Sequence, residues 1–307
     1  DTTATIGIMA ARRSGATLLA IPTGGMSDKA RSDNPWSWWS ERYNRFLCTN
    51  LIKESVQGTA PVQNLHYLVI DVVDGPDQKP NIPHDDLDSP EVSTKEADND
   101  NSEELTVDPE EKVLLKGDRL TAHTGFGLNM VAMGAKRLND NRHDRRFKKF
   151  GAVRQKLARI VDAVIFTFRN LRPVHITAEL DGDTFRSDIA ELYVINSNMM
   201  GGVGRFRSSQ EADTMSVLPI EAKPLSIATG MMQSLLRLWS KKSLTSKKLT
   251  VTTHHTMTPV HVDGEHSWVK QGTTLEIHVS NNTYKAVRTS TQRLRKRIAT
   301  WWQAIKS

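Results

Sequence analysis

Cysteine is almost absent. Cys48 stands alone among 307 residues, so no disulfide can staple the chain internally. A single thiol fits a reducing compartment, and the expected location is cytoplasmic. Long apolar runs are missing too: nothing approaches the roughly 18 residues of a membrane-spanning helix. No G-x-x-x-x-G-K-[ST] stretch occurs, which excludes a P-loop phosphate site. No zinc-type or nucleophile-triad spacing is present, no internal repeat is evident, and no secretory signal opens the chain. A start at Asp1 leads us to expect that upstream residues have been removed.

What is present is a lopsided charge. The chain carries +6 overall, yet residues 74–111 hold fourteen Asp and Glu against two Lys, leaving +18 on the remainder. A basic body of that size favours anionic partners: nucleotide phosphates, an anionic membrane surface or nucleic acid. No nucleic-acid motif supports the last, so no such partner is expected. The length suits two domains, each with its own core.

Residues 2–13 have helical spacing, with Ile6, Met9 and Ala10 on one side and Gly15 as the stop. Residues 17–21 are a short apolar run bounded by Pro22 and Gly24, the pattern of a buried parallel strand. The Gly24-Gly25 turn, with Ser27 and Asp28 opening the next segment, frees backbone N–H groups at a strand end, where anions bind in open α/β sheets. Asp33-Asn34-Pro35 starts a second helix whose apolar face is Trp39, Tyr43, Phe46, Leu47 and Leu51. Trp36 and Trp38 are either core or an interfacial patch.

Residues 65–73 form a strand. Residues 75–111, proline-rich and acidic, read as a disordered insert at a hairpin tip, because residues 120–124 resume the sheet. Residues 127–138 and 224–239 read as helices. The clearest helix is 151–170, with Val153, Leu157, Ile160, Val161, Val164, Ile165 and Phe168 at helical spacing. Strands are expected at 174–180, 189–195, 215–218, 249–255, 260–262 and 275–279, with a turn at Asp181-Gly182-Asp183. The last helix, 289–307, places Leu294, Ile298, Trp301, Trp302 and Ile305 on one face among Arg and Lys. It either packs back on the fold or lies on an anionic bilayer. The pattern is a short α/β start followed by mostly antiparallel strands with helical excursions.

Three carboxylates fall at turns: Asp1 before Thr2-Thr3, Asp213 in Ala212-Asp213-Thr214-Met215, and Glu265 in Val262-Asp263-Gly264-Glu265. The last follows a strand in which Val260 and Val262 alternate with His261 and Asp263, and the Asp-Gly turn leaves Glu265 at the end of a rigid element. Such a carboxylate can take a proton from a hydroxyl, or it can stand solvated. His254, His255, His261 and His266 fall on or beside strands, whose alternating faces would scatter them, so no metal cage is expected.

Several stretches, in order, resemble one family. Residues 21–31, which contain Pro22-Thr23-Gly24-Gly25-Met26-Ser27-Asp28, look like a P-x-G-T-x-N-D-x-A-R nucleotide loop. Residues 121–128 (TAHTGFGL) resemble a strand entering a second domain, and Phe150-Gly151 the start of a long helix. Residues 194–202 resemble v-x-N-g-x-x-x-G-G, residues 212–215 resemble A-x-x-D-G-x-L, and residues 262–265 match v-D-G-E closely. The chain thus resembles the diacylglycerol kinase catalytic family of soluble bacterial lipid kinases and sphingosine kinases, within an NAD kinase-like superfamily. It departs from the pattern where glycines are expected, at Thr2 and Thr214, and where threonine and asparagine are expected, at Gly25 and Ser27.

The resemblance implies a truncated α/β nucleotide-binding domain, residues 1–60, joined by a C-terminal helix over 286–307. A β-sandwich lipid-substrate domain would follow at 61–285, with the acidic insert inside it. It implies a lipid kinase that uses ATP and Mg²⁺ on a lipid alcohol such as diacylglycerol, at an anionic membrane surface. Glu265 would be the general base, and Asp1 would orient the nucleotide or the hydroxyl. Thr2, Thr3, Thr23, Gly24, Gly25 and Asp28 would surround the nucleotide. Asp213, with backbone carbonyls of Met215 and Gln210, would hold Mg²⁺. Other readings are a catalytically weakened, membrane-binding relative and an NAD kinase. A homodimer is compatible with all of them.

Overall fold

Local chemistry builds the first elements much as the spacing predicts. Helix α1, Thr2–Ser14, stops where Gly15 takes the left-handed conformation at φ 69°. Its buried side differs from the expected one: Ile8 and Ala11 are buried, whereas Ile6 and Met9 face solvent. Among the described residues the helix lies against a sheet of three strands. That sheet runs β1 (Thr17–Leu18), β16 (Tyr284–Val287), β2 (Val62–Leu65), with β1 parallel and β2 antiparallel to β16. The computed structural model describes residues 2–21, 30, 33–34, 36, 40–76, 112–129, 133–134, 137, 152–169, 172–197, 199–200, 204–205, 213–223, 226, 244–263, 265–289 and 299–303.

Helix α2, Glu41–Val56, begins several residues after the predicted Asp33–Pro35 start. Ser40 is its cap, and the Ser40 hydroxyl accepts the Tyr43 backbone N–H at 3.1 Å. Tyr43, Leu47 and Leu51 are buried together with Trp36 and Val287, so Trp36 is core. Trp301 packs there as well, edge-on to Tyr43 with ring centroids 5.3 Å apart. Trp38 and Trp39 lie outside the described residues, as does most of the 224–239 helix.

The single strand expected at 65–73 is two strands. β2 ends at Leu65 in the small sheet and β3, Leu68–Asp74, starts in a large one, so His66-Tyr67 is a crossing point. β3 forms a hairpin with β4, Arg119–Ala122, and residues 77–111 of the predicted insert lie outside the described residues. The remaining large-sheet strands are β5 (Gly125–Asn129), β6 (Val174–Leu180), β7 (Asp183–Ile195), β10 (Met215–Glu221), β11 (Leu244–Ser246), β12 (Lys248–Thr253), β13 (Met257–Val262), β14 (Glu265–Lys270) and β15 (Thr274–Val279). β8 (Met199–Met200) and β9 (Gly204–Arg205) form a separate ribbon.

The 13-residue β7 organises this sheet. Its first half pairs with β6, and its second half pairs with β5 on one side and β10 on the other. From β7 one layer runs through β5 and β13 to β14, and the other through β6, β12, β15 and β3 to β4. Residues 112–114, just ahead of β4, lie beside β14: Trp268 donates to the Lys112 carbonyl at 2.9 Å and Leu114 to the Trp268 carbonyl at 2.8 Å. The sheet therefore curls until its two edges meet across this bridge. Between the layers sits one apolar core that includes Phe126, Leu128, Val194, Val217, Leu249 and Ile277.

Residues 127–129, expected to open a helix, belong to β5, every residue of which is buried. Pairing on both flanks overrides whatever local preference the segment has. The predicted 151–170 helix is present as α3, Ala152–Arg169. Phe126 is fully buried at the centre of the β5 layer. Phe126→Ala should lower the unfolding free energy by about 3–5 kcal/mol in a denaturant titration, through lost transfer energy plus an unfilled cavity.

Candidate functional site

The β13–β14 hairpin turns through Asp263, whose backbone is left-handed at φ 50°. Its carboxylate is buried and accepts three hydrogen bonds from one turn: the His123 N–H at 2.6 Å, the Thr124 N–H at 2.9 Å and the Thr124 hydroxyl at 2.5 Å. A buried charge is tolerable when it is bonded in this way. The turn it grips joins β4 to β5, so a strand-end carboxylate ties two hairpins together.

His123 continues the connection toward the small sheet. Its ring packs against Tyr67 and Tyr284, with centroids 5.7 Å away in each case. Those tyrosines share a buried cluster with Ile8 of α1, and the Arg12 guanidinium lies 4.2 Å over the Tyr67 ring. Nearby, Asn196 donates its side-chain amide to the His66 carbonyl at 2.9 Å, and the His66 ring bonds the Ser280 carbonyl at 2.9 Å. Both crossings between the sheets, at His66-Tyr67 and after β15, are thus stitched to the ends of β5 and β7. Sequence reasoning missed His123, Tyr67 and Tyr284 as a unit. They meet only because distant strand ends converge, and no local spacing reports that.

Glu265 is exposed and opens β14. The register sets it opposite Val262, which stands opposite Phe126, then Val194, then Val217. Directly opposed residues project to the same face. Val262, Phe126, Val194 and Val217 belong to the core, so the carboxylate heads an apolar row on the core-facing side.

Asp213 is exposed and forms an ion pair with the Lys247 ammonium, which by its hydrogen bond and its charge holds the carboxyl below the usual carboxylate range. Met215 is buried and opens β10 beside Ser246 of β11. Among the described residues no cluster of three His, Cys, Asp or Glu could hold a metal. Of the set expected to hold Mg²⁺, Asp213 pairs with Lys247 and Met215 is buried at the start of β10. Thr2 and Thr3 open α1, whose first turn contains no acid. Asp1, Thr23, Gly24, Gly25, Asp28 and Gln210 lie outside the described residues.

The histidines are not scattered as expected. His261 and His266 are directly opposed across β13–β14 with rings 5.3 Å apart, and His175 and His254 lie 5.4 Å apart with Asp188 bonded to His175 at 2.8 Å. Adjacent strands bring same-face residues together, an effect that alternation along one strand does not reveal. Burial first, and the charge of His266 second, hold the His261 imidazole down to about 3, so it is neutral near pH 7.

Among solved structures, the chain is similar to a candidate diacylglycerol kinase from Bacillus anthracis str. Sterne, at 13% identity and a TM-score of 0.51, over 89% of this chain and 68% of that one. A second such structure from the same organism aligns at 11% identity and a TM-score of 0.49, over 89% and 70%. Yeast NADH kinase complexed with NADH aligns at 8% identity and a TM-score of 0.43, over 82% and 51%. No protein-family model and no curated protein matches. At 13% identity the first likeness is one of fold: a diacylglycerol-kinase-like fold, α/β plus β-sandwich.

Asp263→Ala should cost about 3 kcal/mol or more in chemical denaturation, because it strands two buried N–H groups and a hydroxyl. Asp263→Asn, which tolerates the left-handed backbone equally well, should recover only part, since its amide N–H₂ meets donors. His261 gives a second expectation. Its folded pKa lies below its unfolded value near 6.5, so its stabilising contribution is complete above pH 6.5 and falls away as pH drops toward 3. Each pH unit in that window should cost about 1.4 kcal/mol, and His261→Gln should flatten the slope of stability against pH by that amount.

Proposed function

We propose that this chain transfers the γ-phosphate of ATP to the hydroxyl of a lipid alcohol such as diacylglycerol, with Glu265 as the general base. One observation carries the reading: an exposed carboxylate, on a turn clamped by a buried one, heads an apolar row at the junction of the two sheets. The fold shared with a candidate diacylglycerol kinase supports it.

An acyl chain favours the apolar side of that row, and its hydroxyl then meets Glu265 at the rim. Glu265 takes the hydroxyl proton as the oxygen attacks the γ-phosphorus. The bond to the β,γ-bridging oxygen breaks, and ADP leaves with the displaced electron pair. ATP, with the Mg²⁺ it carries, is written as substrate. Its phosphates would meet the N–H groups of Thr2 and Thr3, where no acid opposes them, and the Gly24-Gly25 loop. Thr23 and Asp28 would flank the nucleotide, and Asp1 would orient it. The pairing of β1 with β16 supports joining the C-terminal residues to a nucleotide-binding part over 1–60, with 61–285 as the lipid-binding part. The basic body suits an anionic bilayer.

Glu265→Gln should reduce transfer of labelled phosphate from ATP to diacylglycerol in mixed micelles by about 10²–10⁴-fold, with calorimetric ATP binding unchanged. Retained turnover removes Glu265 from the base role. Wild-type protein that phosphorylates NAD in preference to the lipid overturns the choice of substrate.

A further inference from the structure

We propose that His175 and His254 chelate a divalent transition-metal ion of the class that imidazole prefers, Zn²⁺ or Cu²⁺, on the outer face of the large sheet. Alternation sets the face: Val174 and Ile176 of β6 are buried, so His175 between them projects outward. Asp188 of β7 stands directly opposite His175 on one flank. On the other flank β12 pairs with β6 as far as Thr253 and Ile176. The next residue, His254, donates its backbone N–H to the His175 carbonyl at 3.0 Å. Asp188, His175 and His254 thus form one row across three adjacent strands, and all three are exposed.

The hydrogen bonds around the rings select the ligating nitrogens. Asp188 accepts from Nδ1 of His175 at 2.8 Å, so in the neutral ring that nitrogen holds the proton and Nε2 keeps its lone pair. Nε2 of His254 meets the Thr177 hydroxyl at 2.8 Å, which leaves Nδ1 as the ligating atom of that ring. A carboxylate behind one imidazole and a hydroxyl behind the other are the outer partners that orient histidine toward a metal. The spacing agrees. A metal at the usual Zn–N length of about 2.0–2.1 Å lies about 3.2 Å from the ring centre, and two rings at a tetrahedral angle then have centres about 5.2 Å apart. The two centres are 5.4 Å apart, with the ring planes inclined at 45°.

Two imidazoles fall short of the three-residue cluster that the described residues lack, so water fills the remaining coordination positions. Exposure gives it room: the His175 and Asp188 side chains are 51% and 68% exposed. The other opposed pair, His261 and His266, offers no such room, because His261 is only 6% exposed. Open positions make this an exchangeable site, unlike the closed four-ligand sites that hold a fold together. Its place is remote from Glu265. Asp188 lies about 20 Å along β7 from Val194, which stands in the row that Glu265 heads. Metal binding here is therefore independent of the proposed phosphoryl transfer.

The test is calorimetric titration of the whole chain with Zn²⁺ alone, in the absence of ATP and Mg²⁺. Wild type should show a saturable step of one ion per chain. His175→Gln with His254→Gln should abolish that step, and Asp188→Asn, which removes only the support behind His175, should weaken it about tenfold. His255, whose ring bonds the Met257 carbonyl at 3.1 Å, is the control: His255→Gln should leave the affinity unchanged. Circular dichroism and thermal unfolding without metal establish that each variant is folded. Electron paramagnetic resonance of wild type with one equivalent of Cu²⁺ should show coupling to two imidazole nitrogens, a readout that needs no variant. The proposal is overturned if wild type shows no saturable step, if the double variant binds Zn²⁺ as tightly as wild type, or if Cu²⁺ couples to fewer than two nitrogens. It is equally overturned if His255→Gln loses as much affinity as the double variant.

Discussion

A buried carboxylate with three donors aimed at it holds the molecule together where its two sheets meet. Asp263 accepts from the N–H groups of His123 and Thr124 and from the Thr124 hydroxyl. Backbone donors are fixed by the turn that carries them, so the carboxylate and the turn define each other's position. Two residues on, Glu265 inherits that placement without sharing the burial. The same short turn thus divides its acids, one buried as a clamp and one exposed at the start of β14.

The clamp matters because the strands it joins serve different layers. β7 belongs to both layers by its two halves, and β5 and β10 flank only the half that ends at Ile195. Asn196, the next residue, bonds the His66 carbonyl in the crossing between β2 and β3. Strand ends, crossing loops and the tyrosine–histidine cluster therefore meet in one small volume. A change in any one of them is felt at the turn that carries Glu265.

Much of the fold could be read from residue patterns, and the exceptions share a cause. Alternation along 174–180 and 260–262 and the Asp181-Gly182 turn are local properties, and each is where it was expected; the parallel strand expected at 17–21 is present at Thr17–Leu18 alone, and it is not buried. The reading failed where partners decide: Gly127 to Asn129 are strand because β13 and β7 flank them, and the run at 65–73 is broken because it changes sheets. At the site, the Val-Asp-Gly-Glu turn was legible because its chemistry is contiguous. The aromatic cluster behind it was not, since its members are drawn from three separate stretches. The partner of Asp213 was not legible either: it is Lys247, from the corner between β11 and β12, which local spacing does not connect to it.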